Sequence, residues 1–150
     1  MRRFNPVPAT VISTIALLAI VGGGCPSDAQ LGDPVPSGEG GAVLFETDIQ
    51  PILTASCAGC HGGLPFAALL GADIDLRSGK SFDSLLNQSS RNAAGRVFVI
   101  PGDADNSYLI EKLTESNPQE GARMPLFRSA LSQERIDLIR QWIEEGAANN

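Results

Sequence analysis

Cys57, Cys60 and His61 stand in the spacing C-x-x-C-H within this 150-residue chain. That spacing is the attachment site of a c-type haem. Each thiol can add across one haem vinyl group. A carbon–sulfur bond forms, the thiol proton goes to the neighbouring carbon, and no electrons are gained or lost. The imidazole that follows is placed to ligate the iron from one face of the ring. His61 is the chain's one histidine, so a bis-histidine centre within one chain is excluded.

Apart from Met1, Met124 is the only methionine, in the run Gly121-Ala122-Arg123-Met124-Pro125. A thioether is a soft ligand that favours ferrous iron and raises the reduction potential relative to harder donors. Its plain alternative is a loop methionine filling a gap in the core. Arg77, Arg96 and Arg123 could each neutralise a haem propionate, or simply be solvated. Zinc fits poorly, because a structural site takes four Cys or His ligands. Only Cys57, Cys60 and His61 are available in the domain, and two of these are sequence neighbours. A thioredoxin-like reading of the two thiols needs a βαβ pattern, which the sequence does not show.

The elements that must present these residues read as helices joined by long loops. Val43 to Ser56 carries a partial apolar face and ends at Cys57. Pro51 inside it predicts a kink or a restart with Thr47 or Asp48 as N-cap. Ser81 to Leu86 is a short helix, and Arg96 to Ile100 a β-prone run stopped by Pro101-Gly102. Asp105 or Asn106 caps a helix reaching about Leu113. Ser132 caps the last helix, whose apolar stripe is Ile136, Ile139, Trp142 and Ile143. Glu134, Arg135, Arg140 and Glu144 are placed on its wet side, and Gly146 at its C′ position.

The N-terminus reads as an address. Met1-Arg2-Arg3 is a short positive region and Val11 to Val21 an apolar run too short to span a bilayer. Gly22-Gly23-Gly24 leads to Cys25. Residues 1–24 are therefore expected to be an export signal of the lipoprotein kind, with Cys25 the lipidated residue. Residues 25–40, rich in Pro, Gly and Ser, form a flexible tether, and residues 41–150 the folded domain. One lipidated and two thioether-linked cysteines use all three thiols. The expected place is the periplasmic side of a bacterial cell envelope, anchored to membrane by lipid rather than by a spanning helix, with the outer membrane preferred.

Composition bounds the function. Seventeen acidic and eleven basic residues give a net charge of −6, and −8 once residues 1–24 are removed. A nucleic-acid binder would need a basic surface. Large rings are few, and a bound haem would supply an apolar body that the side chains lack.

The order of helix, haem motif, loops, methionine loop and C-terminal helix resembles a class I cytochrome c. It is similar above all to the cytochrome c-like domain of planctomycete and related bacterial proteins. The residues that carry the resemblance begin with Asp48-Ile49-Gln50-Pro51-Ile52-Leu53 and Cys57 to Gly62. Pro101-Gly102-Asp103, Ser107-Tyr108-Leu109 and Arg123-Met124-Pro125 follow, then Leu131-Ser132, Trp142-Ile143 and Gly146-Ala147. The resemblance implies an all-α fold, a single cytochrome c-like domain of about four helices with long loops around one covalent haem c. It also puts Met124 at the distal position opposite His61. Two filled axial sites imply an electron-transfer protein and not an enzyme, exchanging electrons with other redox proteins of the envelope. Two alternatives stay open. One is an open-site sensor or peroxidase-like enzyme in which Met124 is labile; the other is a non-catalytic interaction module.

Overall fold

The computed structural model describes residues 36–63 and 74–150. The export signal, Cys25 and most of the tether lie outside the described residues, as does Pro65. Among the described residues the fold is helical and holds no strand. A 3-10 turn at Glu39–Gly41 and one turn of π-helix, Phe45–Ile49, precede α1, Gln50–Ser56. Then come α2, Ser81–Leu85; α3, Tyr108–Thr114; and α4, Gln133–Glu144. No described helix is long and apolar enough to cross a membrane.

The expected first helix is divided at Ile49. Pro51 falls in the first turn of α1, where its missing N–H costs nothing. Neither Thr47 nor Asp48 caps α1. Asp48 instead closes the turn before it, accepting from the Leu44 N–H at 2.7 Å, from the Ser37 N–H at 3.0 Å and from the Ser37 hydroxyl. Burial pushes this carboxyl up, but those three bonds outweigh it and hold Asp48 below its ordinary pKa. Above about pH 4 the group is ionised in folded and unfolded chains alike. As pH falls from there, the unfolded chain takes up the proton first, so the stabilisation fades toward the lowered folded pKa. Asp48→Ala is expected to cost about 2 kcal/mol in urea denaturation at neutral pH, and less as the pH is lowered past 4. An equal loss at acid and neutral pH would contradict this role.

Gln50 is the second buried polar residue that organises the fold. Its Nε2 donates to Thr54 Oγ1 at 3.0 Å and to the Leu76 carbonyl at 3.3 Å, and its Oε1 accepts from the Ser81 hydroxyl. It thereby joins α1 to the segment entering α2. The β-prone run at residues 96–100 forms isolated bridges rather than a strand, pairing Ser89 with Val97 and Leu86 with Val99. A strand needs a continuous partner, and the chain there offers only short loop contacts.

The core lies where the π-turn, α1, α3 and α4 meet. Phe45 and Trp142 pack with ring centroids 5.1 Å apart, and Phe82 meets Phe45 edge-on at 5.3 Å. Phe127 takes no part, being 95% exposed. On α4 the stripe Ile136, Ile139, Trp142 and Ile143 is buried as expected, but so is Arg135. Arg135 shares a helical row with Leu138 and Trp142, so its stem is covered by that face rather than turned to water. Ser132 occupies the N-cap position without a side-chain bond to the helix backbone; its hydroxyl donates to the Glu134 carboxylate instead. At the other end Gly146, at φ +99°, lets its own N–H reach the Ile143 carbonyl and that of Ala147 reach Trp142. Only glycine adopts this conformation without strain. The two chain ends of the domain are clasped by bonds from Val43 N–H to Glu145 Oε2 at 2.8 Å and from Phe45 N–H to Asn150 Oδ1 at 2.9 Å.

Candidate haem site

The C-terminus of α1 delivers the chain into the C-x-x-C-H turn. The Cys57 N–H bonds the Leu53 carbonyl, and the N–H groups of Cys60 and His61 both return to the Cys57 carbonyl, at 3.1 and 2.9 Å. This winds residues 57–61 into one compact turn. Gly62 follows because a Cβ there would lie 2.6 Å from the Ala58 carbonyl oxygen. The His61 carbonyl accepts from the Leu76 N–H at 2.7 Å. Leu76 is the residue that Gln50 holds by its carbonyl, so the turn is braced from α1 through two bonds.

Both thiols are free: Cys57 half-buried, Cys60 exposed. Burial pushes the Cys57 thiol up to about 11, with Arg128 opposing and Cys60 adding to the shift. The His61 ring is held neutral, first by burial and second by the Lys112 ammonium, so its pKa is lowered. A neutral imidazole is the form that ligates a metal. Its Nδ1 is buried without a hydrogen-bond partner, which is unusual for a buried polar atom. No three His, Cys, Asp or Glu side chains among the described residues are arranged to hold a bare metal ion.

Met124 is half-buried against the same hydrophobic core that Cys57 touches. Its N–H donates to the Lys112 carbonyl at 2.7 Å. Four residues on, Arg128 Nη1 donates to the Ala55 carbonyl at 3.2 Å. The methionine segment is thus tied to the helix that carries Cys57. Between the two anchors, Leu126 and Phe127 are exposed. Of the arginines considered for a propionate, Arg77 is paired with Asp75 at 2.6 Å and Arg96 with Glu111, while Arg123 is exposed. Lys112, Arg128 and Gln50 were not legible as parts of this site. Lys112 and Arg128 lie in unrelated segments, and Gln50 stood only within the run Asp48 to Leu53 that carries the resemblance, without a role of its own.

Two unpaired thiols three positions apart, and a neutral imidazole with an unsatisfied nitrogen beside them, match the donor set that a covalent haem requires. The described residues form a helical fold that carries the sequence C-x-x-C-H in one braced turn. No family model matches the chain. It is similar to hydrazine synthase subunit alpha of Kuenenia stuttgartiensis, with 32% identity over 125 residues, covering 70% of this chain. The chain spans only 15% of that relative's length. A solved structure of Kuenenia stuttgartiensis hydrazine synthase matches with 26% identity and a TM-score of 0.47, over 70% of this chain and 16% of the other.

The sequence similarity corrects one expectation. The filled-site reading made the chain an electron-transfer protein and not an enzyme, yet the relative it resembles is a subunit of an enzyme. The physical reason is that an axial ligand set describes one centre. It does not say whether the polypeptide around that centre belongs to a catalyst.

Proposed function

We propose that residues 41–150 form a monohaem c-type domain that passes electrons within a redox-enzyme assembly of the bacterial cell envelope. The observation that carries this reading is the braced Cys57–His61 turn, with its free thiols and the unsatisfied His61 nitrogen. Cys57 and Cys60 would hold the haem by thioethers, and His61 and Met124 would ligate its iron. When bound, the haem supplies a one-electron ferric/ferrous couple. The chain's own residues set the conditions for it. Burial keeps His61 neutral, the Leu76 bond fixes the backbone of the ligand turn, and Lys112 and Arg128 hold the segment that presents Met124.

Residues 1–24 would export the chain, Cys25 would take the lipid, and the residues between Cys25 and Ser37 would tether the domain to the membrane, since Ser37 is already bonded to Asp48. Its partners would be other redox proteins of the envelope. The likeness to a hydrazine synthase subunit supports an enzyme context over a free shuttle. Purification after periplasmic haem maturation, followed by a denatured-haem spectrum and intact mass, tests the reading. One covalent haem per chain is expected, and a chain without it ends the proposal.

The same likeness is compatible with a second reading, in which Met124 would not hold the iron and a small molecule would bind in its place. Carbon monoxide added to the reduced protein separates the two. An unchanged spectrum is expected for the filled site, and a prompt shift for the open one.

A further inference from the structure

The segment from Glu115 to Met124 has little apolar anchorage of its own; within it only Pro118 is buried and Met124 half-buried. It is fastened instead by polar bonds: the Gln119 N–H donates to Glu111 Oε1 and the Gln119 amide to the Ala94 carbonyl, and from Glu120 on the hold comes mainly from Lys112 of α3. Lys112 Nζ donates to the Glu120 carbonyl at 2.9 Å and to the Ala122 carbonyl at 2.6 Å. The Lys112 carbonyl accepts the Met124 N–H at 2.7 Å. One helical turn earlier, the Tyr108 hydroxyl donates to the same Glu120 carbonyl at 3.2 Å. Tyr108 and Lys112 are four apart and share a helix face, with Nζ 5.9 Å from the ring centroid. One side chain therefore bridges two carbonyls two residues apart, and the same residue's backbone fixes the next amide but one.

A solvated lysine does not hold a loop at three points. We propose that Lys112 is the positioning residue for the distal ligand: its ammonium shapes residues 120–122 and its carbonyl sets the Met124 backbone so that the thioether is presented to the haem. This rests on the His61 and Met124 ligand set proposed above. A neutral thioether is an easily displaced ligand, so its hold on iron depends on how far the loop is ordered beforehand. Lys112 supplies that order through charge-assisted bonds, which are stronger than neutral ones.

The test uses the full-length haem-loaded protein. Lys112→Met keeps the length of the side chain and removes its donors; Lys112→Arg keeps donors. Met124→Ala is the control for ligation. Exogenous imidazole is titrated against each ferric protein, and displacement is followed by loss of the sulfur-to-iron charge-transfer band. Lys112→Met is expected to retain one haem per chain and to lose Met124 at about tenfold lower imidazole than wild type, the effect of losing the charge-assisted bonds. Lys112→Arg is expected to stay within about twofold of wild type. A merely structural lysine would lower thermal stability without moving the imidazole midpoint. If Lys112→Met is displaced at the wild-type concentration, Lys112 has no positioning role while the ligand set stands. If wild type carries no haem, or Met124→Ala has the wild-type spectrum, the ligand set falls and this proposal with it.

Discussion

Alanine at both Cys57 and Cys60 is expected to give a chain that folds and carries no covalent haem. After export in a haem-maturing host and extraction with acidified solvent, the wild-type polypeptide should keep the haem mass and the double variant should have the mass of the bare chain. The effect is all-or-none because a carbon–sulfur bond survives unfolding, whereas an iron–imidazole bond does not once His61 is protonated. Neither substitution by itself threatens the fold, and the double variant is compared with wild-type chain made without haem, because haem would add an apolar body of its own. Cys60 is exposed and Cys57 only half-buried at the edge of the core, so Cys60→Ala should stay within about 0.5 kcal/mol and Cys57→Ala within about 1 kcal/mol of wild type. Helical circular dichroism of the double variant therefore serves as the internal control. Each single variant should keep one thioether. Covalent haem in the double variant would remove both thiols from the site.

The last helix could be read from the sequence because its information is local. Ile136, Ile139 and Ile143 fall at helical spacing, and Gly146 takes the positive φ that its position demands. Pro51 likewise marked a break, since its effect on α1 is a matter of one ring and one missing N–H. Asp48, Gln50 and Ser81 could not be read in this way. Each is a polar residue with no local sign of burial, and each is buried because of a partner in another segment: Ser37 for Asp48, and Ser81 with Leu76 for Gln50. Arg135 fails for a related reason, since periodicity assigns it by charge while the helix covers its stem. At the site the contrast is the same. The C-x-x-C-H turn is contiguous and announces itself. The hold on Met124 comes from Lys112, twelve residues away in sequence, and no pattern connects them.

The distinction between carrier and enzyme subunit lies at a further remove. Were His61 and Met124 both to ligate iron, no position would be left there for a substrate, and that much follows from the ligands. Whether the electrons enter a reaction on the same polypeptide depends on surfaces and domains that a haem motif does not encode. A domain similar to part of an enzyme subunit can keep all its own physics and still belong to a catalyst.

Trp142→Ala should be the most damaging single substitution outside the haem motif. The indole is 1% exposed. It stacks against Phe45 and stands 6.4 Å from Phe82, so it joins the π-turn and α2 to α4. Its Nε1–H also donates to the Ala148 carbonyl at 2.9 Å, which fixes the chain beyond Gly146. Removing a buried ring of this size costs about 3–5 kcal/mol, against a total stability for a domain of about 5–15 kcal/mol. Few other large rings are present to collapse into the space, so the upper part of that range applies. Trp142→Phe keeps most of the packing and loses the indole donor, at a cost of about 1–2 kcal/mol. Urea denaturation followed by circular dichroism measures both, and the visible spectrum of the folded fraction should match wild type. That pairing separates packing from chemistry. If Trp142 relayed electrons, the phenylalanine variant would slow electron exchange at nearly normal stability; as a core residue, it weakens the fold and leaves the residues proposed to ligate iron alone.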